Sequence, residues 1–400
     1  MAARSPAGPG SPFCYGRRHG AGGSASNTRG GPVAESIEKS LEPALAAAVA
    51  RLMPGAELIS VRPFGVDEGE EDLGTHKGIG YGSPLRLTVR RADGRQETLV
   101  FHTAKADQFG HDRRADRAAE MLLGFDRFGG IPAHVAALDV GAVSKDGERL
   151  ISLAEAGEFY LLTSYAEGHL YADELREIAR RGSLTPRDGE HAEALARYLV
   201  ALHSERIDDP RRYQRAIRDL VGSGEGVFGL VDAYADDVPA ASPERIAAIE
   251  TRCVEHRRRL KKQSERLRRT HGDFHPFNVV FQNGEPAVLD ASRGCMGDAA
   301  DDVTCMAINY VFFAVEHPDT WRGVFSELWH RFWRVYLQAS GDREVLRVCA
   351  PFLAWRGLVV ANPLWYPQVS EGARDRVLRL IEKTLDAEAF DPAFADEVLA

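Results

Sequence analysis

Residues 271–278 read His-Gly-Asp-Phe-His-Pro-Phe-Asn, and Val288-Leu289-Asp290 follows shortly afterwards. No other stretch constrains this chain as tightly. Asp273 and Asn278 share one short segment, and Asp290 stands behind an apolar, strand-like run. Groups that act on one substrate have to converge, so the spacing bears on the fold as well as on the chemistry. Phosphoryl transfer from a magnesium-nucleotide needs this set. One carboxylate orients the attacking hydroxyl and accepts its proton, while an amide oxygen and a second carboxylate hold the metal that bridges the phosphates. Taken singly, Asp273 and Asn278 are ordinary turn residues, a role both types favour. The spacing, with Asp290 beyond it, sets the group apart from that reading.

Bulk properties narrow the class without naming it. Four hundred residues exceed one small core and suffice for two lobes. A hydrophobic fraction of 44% and a charged fraction of 27% are those of a globular protein. No run of eighteen apolar residues occurs, so no membrane span is expected. The net charge of −9 argues against nucleic acid as the main partner. The basic run Arg257, Arg258, Arg259, Lys261 and Lys262 lies in a helical pattern and reads as a solvated face. The five cysteines form no Cys-x-x-Cys pair, so neither a zinc site nor a disulfide framework is expected, and the reading is cytoplasmic.

Along the chain, residues 1–35 are rich in Gly, Ala, Ser and Pro, carry Arg, and hold no acid before Glu35. They are expected to be a disordered tail. Ile37, Leu41, Leu45, Val49 and Leu52 then recur at helical spacing over 36–52. Strands are predicted at 58–64, 85–90 and 98–103, the last two joined by Ala92-Asp93-Gly94-Arg95 as a hairpin. A helix is predicted over 113–128, followed by strands at 135–143 and 159–165. Beyond Ala166 the pattern is mainly helical, with helices at 190–203, from Ser242-Pro243 toward Arg269, and at 299–315, 321–339, 343–361 and 371–387. A small β-rich portion followed by a helical remainder is an α+β pattern.

The 271–290 segment resembles the catalytic segment of the aminoglycoside phosphotransferase and choline kinase family, relatives of protein kinases that phosphorylate small molecules. Gly272 stands where protein kinases place Arg. The resemblance implies a protein-kinase-like, two-lobed fold: a nucleotide-binding lobe at 36–163 and a catalytic and substrate lobe at 164–400. It implies ATP, with GTP equally admitted, and magnesium as cofactors. By the same resemblance Asp273 is the catalytic base, Asn278 and Asp290 are the metal ligands, and His271 pins the loop. Lys105, at the end of a strand, would contact the phosphates, and Glu120, on the following helix, would hold it. Asp112 and Asp116 on that segment could stand in for Glu120. Gly78 and Gly80, in Gly78-Ile79-Gly80-Tyr81-Gly82-Ser83, are candidates for a phosphate-covering loop. Asp67, Glu68, Glu70, Glu71 and Asp72 just upstream oppose that reading, and a plain surface loop fits equally well. Thr163, Ser164 and Tyr165 would form the hinge that reads the base edge through the main chain. Asp298 can cap the helix after it, Asp302 would buttress the loop, and the role of Asp301 is open. Arg293 is either a phosphate contact or a solvated residue.

Only six residues separate Asp290 from Gly297, little room for an activation segment that docks a polypeptide. A small hydroxylated acceptor is therefore expected, with neither nucleic acid nor membrane as partner. Trp355, Asn362, Trp365 and Tyr366 are candidates for its pocket, although such aromatics are more commonly core. Two other functions compete with a small-molecule kinase: a catalytically silent nucleotide-binding regulator, and an enzyme that phosphorylates protein. Near-identical motifs serve aminoglycosides, macrolides, choline, homoserine and sugars, so the motif does not choose the acceptor.

Overall fold

The computed structural model describes residues 32–63, 84–107, 109–291, 295–315 and 317–399. It divides into two compact units at Tyr160/Leu161. Most of the expected tail, the Gly78–Ser83 loop with the acids before it, and Arg293 lie outside the described residues.

In the first unit, helix α1 (Pro32–Leu52) packs on an antiparallel sheet of β1 (Glu57–Pro63), β2 (Leu85–Arg90) and β3 (Gln96–Phe101), in the order β1-β2-β3. Leu41, Leu45 and Val49 are buried, and Leu41 and Leu45 join Leu85 and Leu87 in one cluster. Their spacing of four is the helical face and the spacing of two is the strand face. The expected hairpin forms. Arg90 pairs with Gln96, and Gly94 takes a positive φ of 85° in the turn. Helix α2 (Arg114–Arg127) follows, its N-terminus closed by Asp116, which accepts from the Arg113 N–H at 2.9 Å.

Two predicted strands are corrected. Of 135–143 only β4 (Gly141–Val143) is a strand, paired with the unforeseen β5 (Leu150–Ser152). The run 159–165 is not a strand. Leu161, Leu162 and Tyr165 are 88%, 88% and 84% exposed, and no ladder partner lies beside them among the described residues. Apolar and aromatic composition suits a pleated, half-buried surface, but without a neighbouring strand it does not make one.

The second unit is helical around two small sheets. One has the order β6-β8-β9: β6 (His169–Leu170), β8 (Val279–Gln282) and β9 (Glu285–Val288). The other pairs β7 (Leu267–Arg269) with β10 (Met296–Asp298). Helices α3 (Tyr171–Arg181), α4 (Pro186–His203), α5 (Pro210–Gly222), α6 (Val227–Val231) and α7 (Pro243–Leu260) precede β7. Helices α8 (Ala299–Val315), α9 (Ser326–Ser340), α10 (Val345–Val348), α11 (Ala350–Ala361), α12 (Glu371–Asp386) and α13 (Phe394–Leu399) follow β10. The helix from Ser242-Pro243 ends at Leu260, and the approach to Arg269 is strand. As expected, Ser242 caps it, its side chain accepting from the Arg245 N–H. The predicted 321–339 helix is broken at Gly323, whose φ of 76° is left-handed.

Helix α8 is buried on nearly every side, which its apolar sequence dictates. Its internal polar groups are satisfied locally: the Thr304 hydroxyl donates to Ala300 O at 2.8 Å and the Asn309 amide to Cys305 O at 2.7 Å. Asp298 anchors the front of this helix. It accepts from Ala300 N at 3.0 Å, from the Tyr213 hydroxyl at 2.9 Å, and from both arms of Arg266 at 2.8 and 2.9 Å. Burial works against the Arg266 charge, but Asp298 and Asp342 outweigh it and hold the guanidinium protonated. This fork lies one residue before β7 and so fixes where the loop after β7 begins.

Candidate active site

Residues 270–278 run from β7 to β8, so both ends of the segment are tied to sheets. Thr270 N–H donates to Cys295 O at 3.2 Å, beside β10. Gly272 has φ 84°, a conformation that favours glycine. That geometry turns two successive amides toward one carboxylate. His271 N–H donates to Asp302 Oδ2 at 2.7 Å and Gly272 N–H to Asp302 Oδ1 at 2.8 Å. Asp302 is fully buried on α8, and its Oδ2 also meets His203 Nε2 at 3.1 Å. Asp302 therefore holds the loop's backbone, the role expected of it. His271 acts inside the loop, its Nδ1 accepting from Asp273 N–H at 3.3 Å.

Asp273 follows directly. Its Oδ1 accepts from Arg356 Nη1 at 2.8 Å, and the Cys305 thiol lies 3.9 Å from the same oxygen. Its Oδ2 lies 3.5 Å from His275 Nε2. Burial pushes the Cys305 thiol well up, so it stays protonated as a donor. Arg356 also donates from Nη2 to Gly272 O at 2.8 Å and to Asp301 Oδ1 at 2.7 Å. It is buried, 6% exposed, on α11. Burial opposes its charge, but the carboxylates of Asp301 and Asp273 outweigh that and keep the guanidinium protonated. Asp301 thus gains a structural position: it shares the buried cation with Asp273.

Asn278 ends the loop. Its side-chain N–H donates to Asp273 O at 3.1 Å, which turns the amide oxygen the other way. The β8–β9 hairpin brings the third residue back. Val279 pairs with Val288, and Leu289 N–H donates to Asn278 O at 2.9 Å. Asp290 is the next residue, exposed, with φ 51°. A positive φ is uncommon outside glycine, although Asp tolerates it better than most. Asn278 and Asp290 are therefore placed at one end of one hairpin, and Asp273 at the other side of the same loop. Among the described residues no three His, Cys, Asp or Glu side chains gather as an all-protein metal cage. An amide oxygen and one carboxylate instead fit magnesium, which takes one or two protein ligands and completes its shell with phosphates and water.

In the first unit, Lys105 is exposed just beyond β3. No ion pair joins Lys105 to Glu120 among the described residues; Glu120 faces His111 Nε2 at 3.6 Å instead. The hydrogen bond that the His111 imidazole makes to the Asp107 carboxylate raises it, which favours its cationic form and makes it a charge partner for Glu120. Asp116 is taken up by the cap of α2. Thr163, Ser164 and Tyr165 form exposed, irregular chain in the second unit.

A cavity of about 470 Å³ opens beside the loop within the second unit. His275 and Phe277 of the loop line it with Phe312 and Phe313 of α8, Tyr366 and Arg176. The rings pack on one another: Phe312 lies 4.6 Å from Tyr366 and 5.1 Å from Phe313, centroid to centroid. Of the residues expected in an acceptor pocket only Tyr366 is there. Trp355 is buried and donates to Glu225 O at 2.7 Å, Asn362 is fully buried, and Trp365 is 60% exposed.

Sequence reading missed Arg356, Cys305 and His203. A signal for Arg356 existed: it is the single charge in the otherwise apolar run Ala350–Ala361. A cation inside a buried helix must have carboxylate or carbonyl partners.

No curated protein matches the chain. Solved structures with a similar course of chain include an amicoumacin kinase in complex with AMP-PNP and Ca2+ (13% identity, 90% of this chain and 98% of that one, TM-score 0.35). A choline kinase from Cryptosporidium parvum is 12% identical over 89% of this chain and 92% of its own, with a TM-score of 0.30. A macrolide 2'-phosphotransferase from Brachybacterium faecium is 16% identical over 84% and 98%, with a TM-score of 0.28. A model of the phosphotransferase enzyme family matches residues 85–349, a span that contains β2, the whole 271–290 segment and α8. The chain belongs to the phosphotransferase enzyme family.

Proposed function

We propose that this chain transfers the γ-phosphoryl group of ATP, in a magnesium-dependent reaction, to a hydroxyl of a small molecule. The observation that carries the reading is the convergence of Asp273, Asn278 and Asp290 through one loop and one hairpin. Asp273 would orient the acceptor hydroxyl and take its proton. Asn278 Oδ1 and the Asp290 carboxylate would hold magnesium. When bound, the metal neutralises charge on the phosphate oxygens. Lys105 would add a further cation at the phosphates, and Glu120 a partner for it once released from His111. Thr163, Ser164 and Tyr165 would meet the nucleotide base through their main chain, which admits GTP as well as ATP. Gly78 and Gly80 remain candidates for the phosphate-covering loop.

The aromatic cavity is the proposed acceptor site, because His275 belongs both to its wall and to the surroundings of Asp273 Oδ2. Its volume suits a molecule of drug-like size. A silent nucleotide-binding regulator is the competing reading, and the presence of all three groups weighs against it. Nucleoside-diphosphate release with magnesium-ATP, measured over a panel of hydroxylated amines, sugars and antibiotics, tests the proposal. Release that depends on one acceptor, and falls about 10²- to 10⁴-fold in Asp273→Asn, is the expected result. Nucleotide binding that needs metal but leads to no turnover for any acceptor would favour the regulator.

A further inference from the structure

Arg356 stands 83 residues from Asp273 in sequence and reaches it from a different helix. Its guanidinium makes three contacts at once: Asp273 Oδ1 at 2.8 Å, Gly272 O at 2.8 Å and Asp301 Oδ1 at 2.7 Å. The planar fork of an arginine can serve several fixed acceptors in this way, whereas a lysine ammonium acts as a point charge. Two of the three acceptors lie in the loop itself, one on the backbone and one on the side chain. The third, Asp301 on α8, ties the guanidinium to that helix. The guanidinium also lies against the Trp355 ring, 3.7 Å from its centroid, so its plane is held on the far side as well.

We propose that Arg356 is the positioning residue of the Asp273 carboxylate, a role that rests on the catalytic reading of Asp273 above. By fixing Oδ1 and the Gly272 carbonyl together, it sets the rotation of the carboxylate and presents Oδ2 on the His275 side, where the aromatic cavity opens. Gly272 leaves no side chain at the position before Asp273, so the cation that restrains this loop comes from α11 through space. Asp301 is part of the device. Without it a lone cation would bridge the loop and α11 with one carboxylate only. Cys305 completes the set by directing its thiol at the same Oδ1. Arg356 itself does not touch substrate in this scheme; it acts through Asp273.

A structural role alone would look different, and the difference can be measured. Arg356→Met removes the fork and leaves Asp273 and Asp301 without their cation, so this variant will be destabilised and serves only as a reference. The double variant Arg356→Met/Asp301→Leu removes one of the two carboxylates left behind and replaces the pair with apolar groups. Replacement of a buried pair in this way commonly restores stability. Arg356→Lys keeps the charge and loses the fork. The measurements are melting temperature, the KM values for magnesium-ATP and acceptor, and kcat, with Asp273→Asn alongside. The expected result is a double variant that regains part of the melting temperature lost in Arg356→Met, since Asp273 still lacks the Arg356 cation. Its KM values would stay within about threefold, and its kcat would remain depressed by about 10²-fold, the scale of a misplaced reacting group. Arg356→Lys should fall between the double variant and wild type in kcat. A double variant that regains stability and kcat together would overturn the inference. A wild-type chain without turnover, or an Asp273→Asn variant with full turnover, would instead sink the catalytic reading on which the inference stands.

Discussion

Replacing Asp302 by Asn tests how the loop is held. The side chain keeps its size and loses its charge. In the native chain its two oxygens accept from His271 N–H at 2.7 Å, Gly272 N–H at 2.8 Å and His203 Nε2 at 3.1 Å, with no exposure to water. An asparagine has one acceptor oxygen, so its NH₂ must face a group that is itself a donor. If the oxygen serves His271 and His203, the Gly272 N–H is left buried and unpaired. An unsatisfied buried donor costs about 1–3 kcal/mol, and a hydrogen bond to a charged acceptor contributes about 1.5–3 kcal/mol. Relief from burying a carboxylate offsets part of this. A net loss of about 2–3 kcal/mol follows. Urea unfolding read by tryptophan fluorescence is the assay. All five tryptophans, Trp321, Trp329, Trp333, Trp355 and Trp365, lie in the second unit, so the signal reports on that unit alone. The midpoint should fall with the slope unchanged. A shift worth less than about 0.5 kcal/mol, the range of ordinary surface substitutions, would refute the view that Asp302 carries the loop.

Other outcomes follow from the same geometry. Arg266→Met should cost about 3–5 kcal/mol in the same unfolding assay, because the Asp298 carboxylate would be left buried without its cation. Gly168→Ala should destabilise the β6–β8 pairing. A Cβ there would run into the Phe281 carbonyl oxygen at a φ of 138°, and amide hydrogen exchange at Val280 and Phe281 would report the loosening. Phe312→Ala should raise the acceptor KM while leaving the magnesium-ATP KM unchanged, since the ring walls the proposed acceptor cavity; equal rises in both would argue against that assignment. His256 carries a pH prediction. Burial lowers its imidazole below the ordinary ~6.5, so the unfolded chain binds the proton more readily than the folded one. The stability it protects is therefore fully present above about pH 6.5 and is lost as pH falls through the lower, folded value. His256→Gln should flatten the stability profile below pH 6.5, and an unchanged profile would show that another group sets it.

The sequence by itself determined which residues meet in the loop and several of the elements around it. Asp273 and Asn278 are five positions apart, and Asp290 closes a tight hairpin, so local chain geometry suffices to bring them together. The same holds for α1 and the β2–β3 hairpin, whose spacing of apolar residues reveals which face is buried, and for α8, whose apolar run is buried on nearly every side. Tertiary structure decided what holds the loop. Asp302 comes from 31 residues away and Arg356 from 83, and His203 meets Asp302 across 99. No periodicity encodes such distances. Tertiary structure also decided that 159–165 has no strand beside it, and that Glu120 faces His111 and Asp116 closes a helix. A residue's type states what it can bind. Which of several eligible partners it meets depends on how the packed helices bring distant segments together, and that is a property of the whole fold.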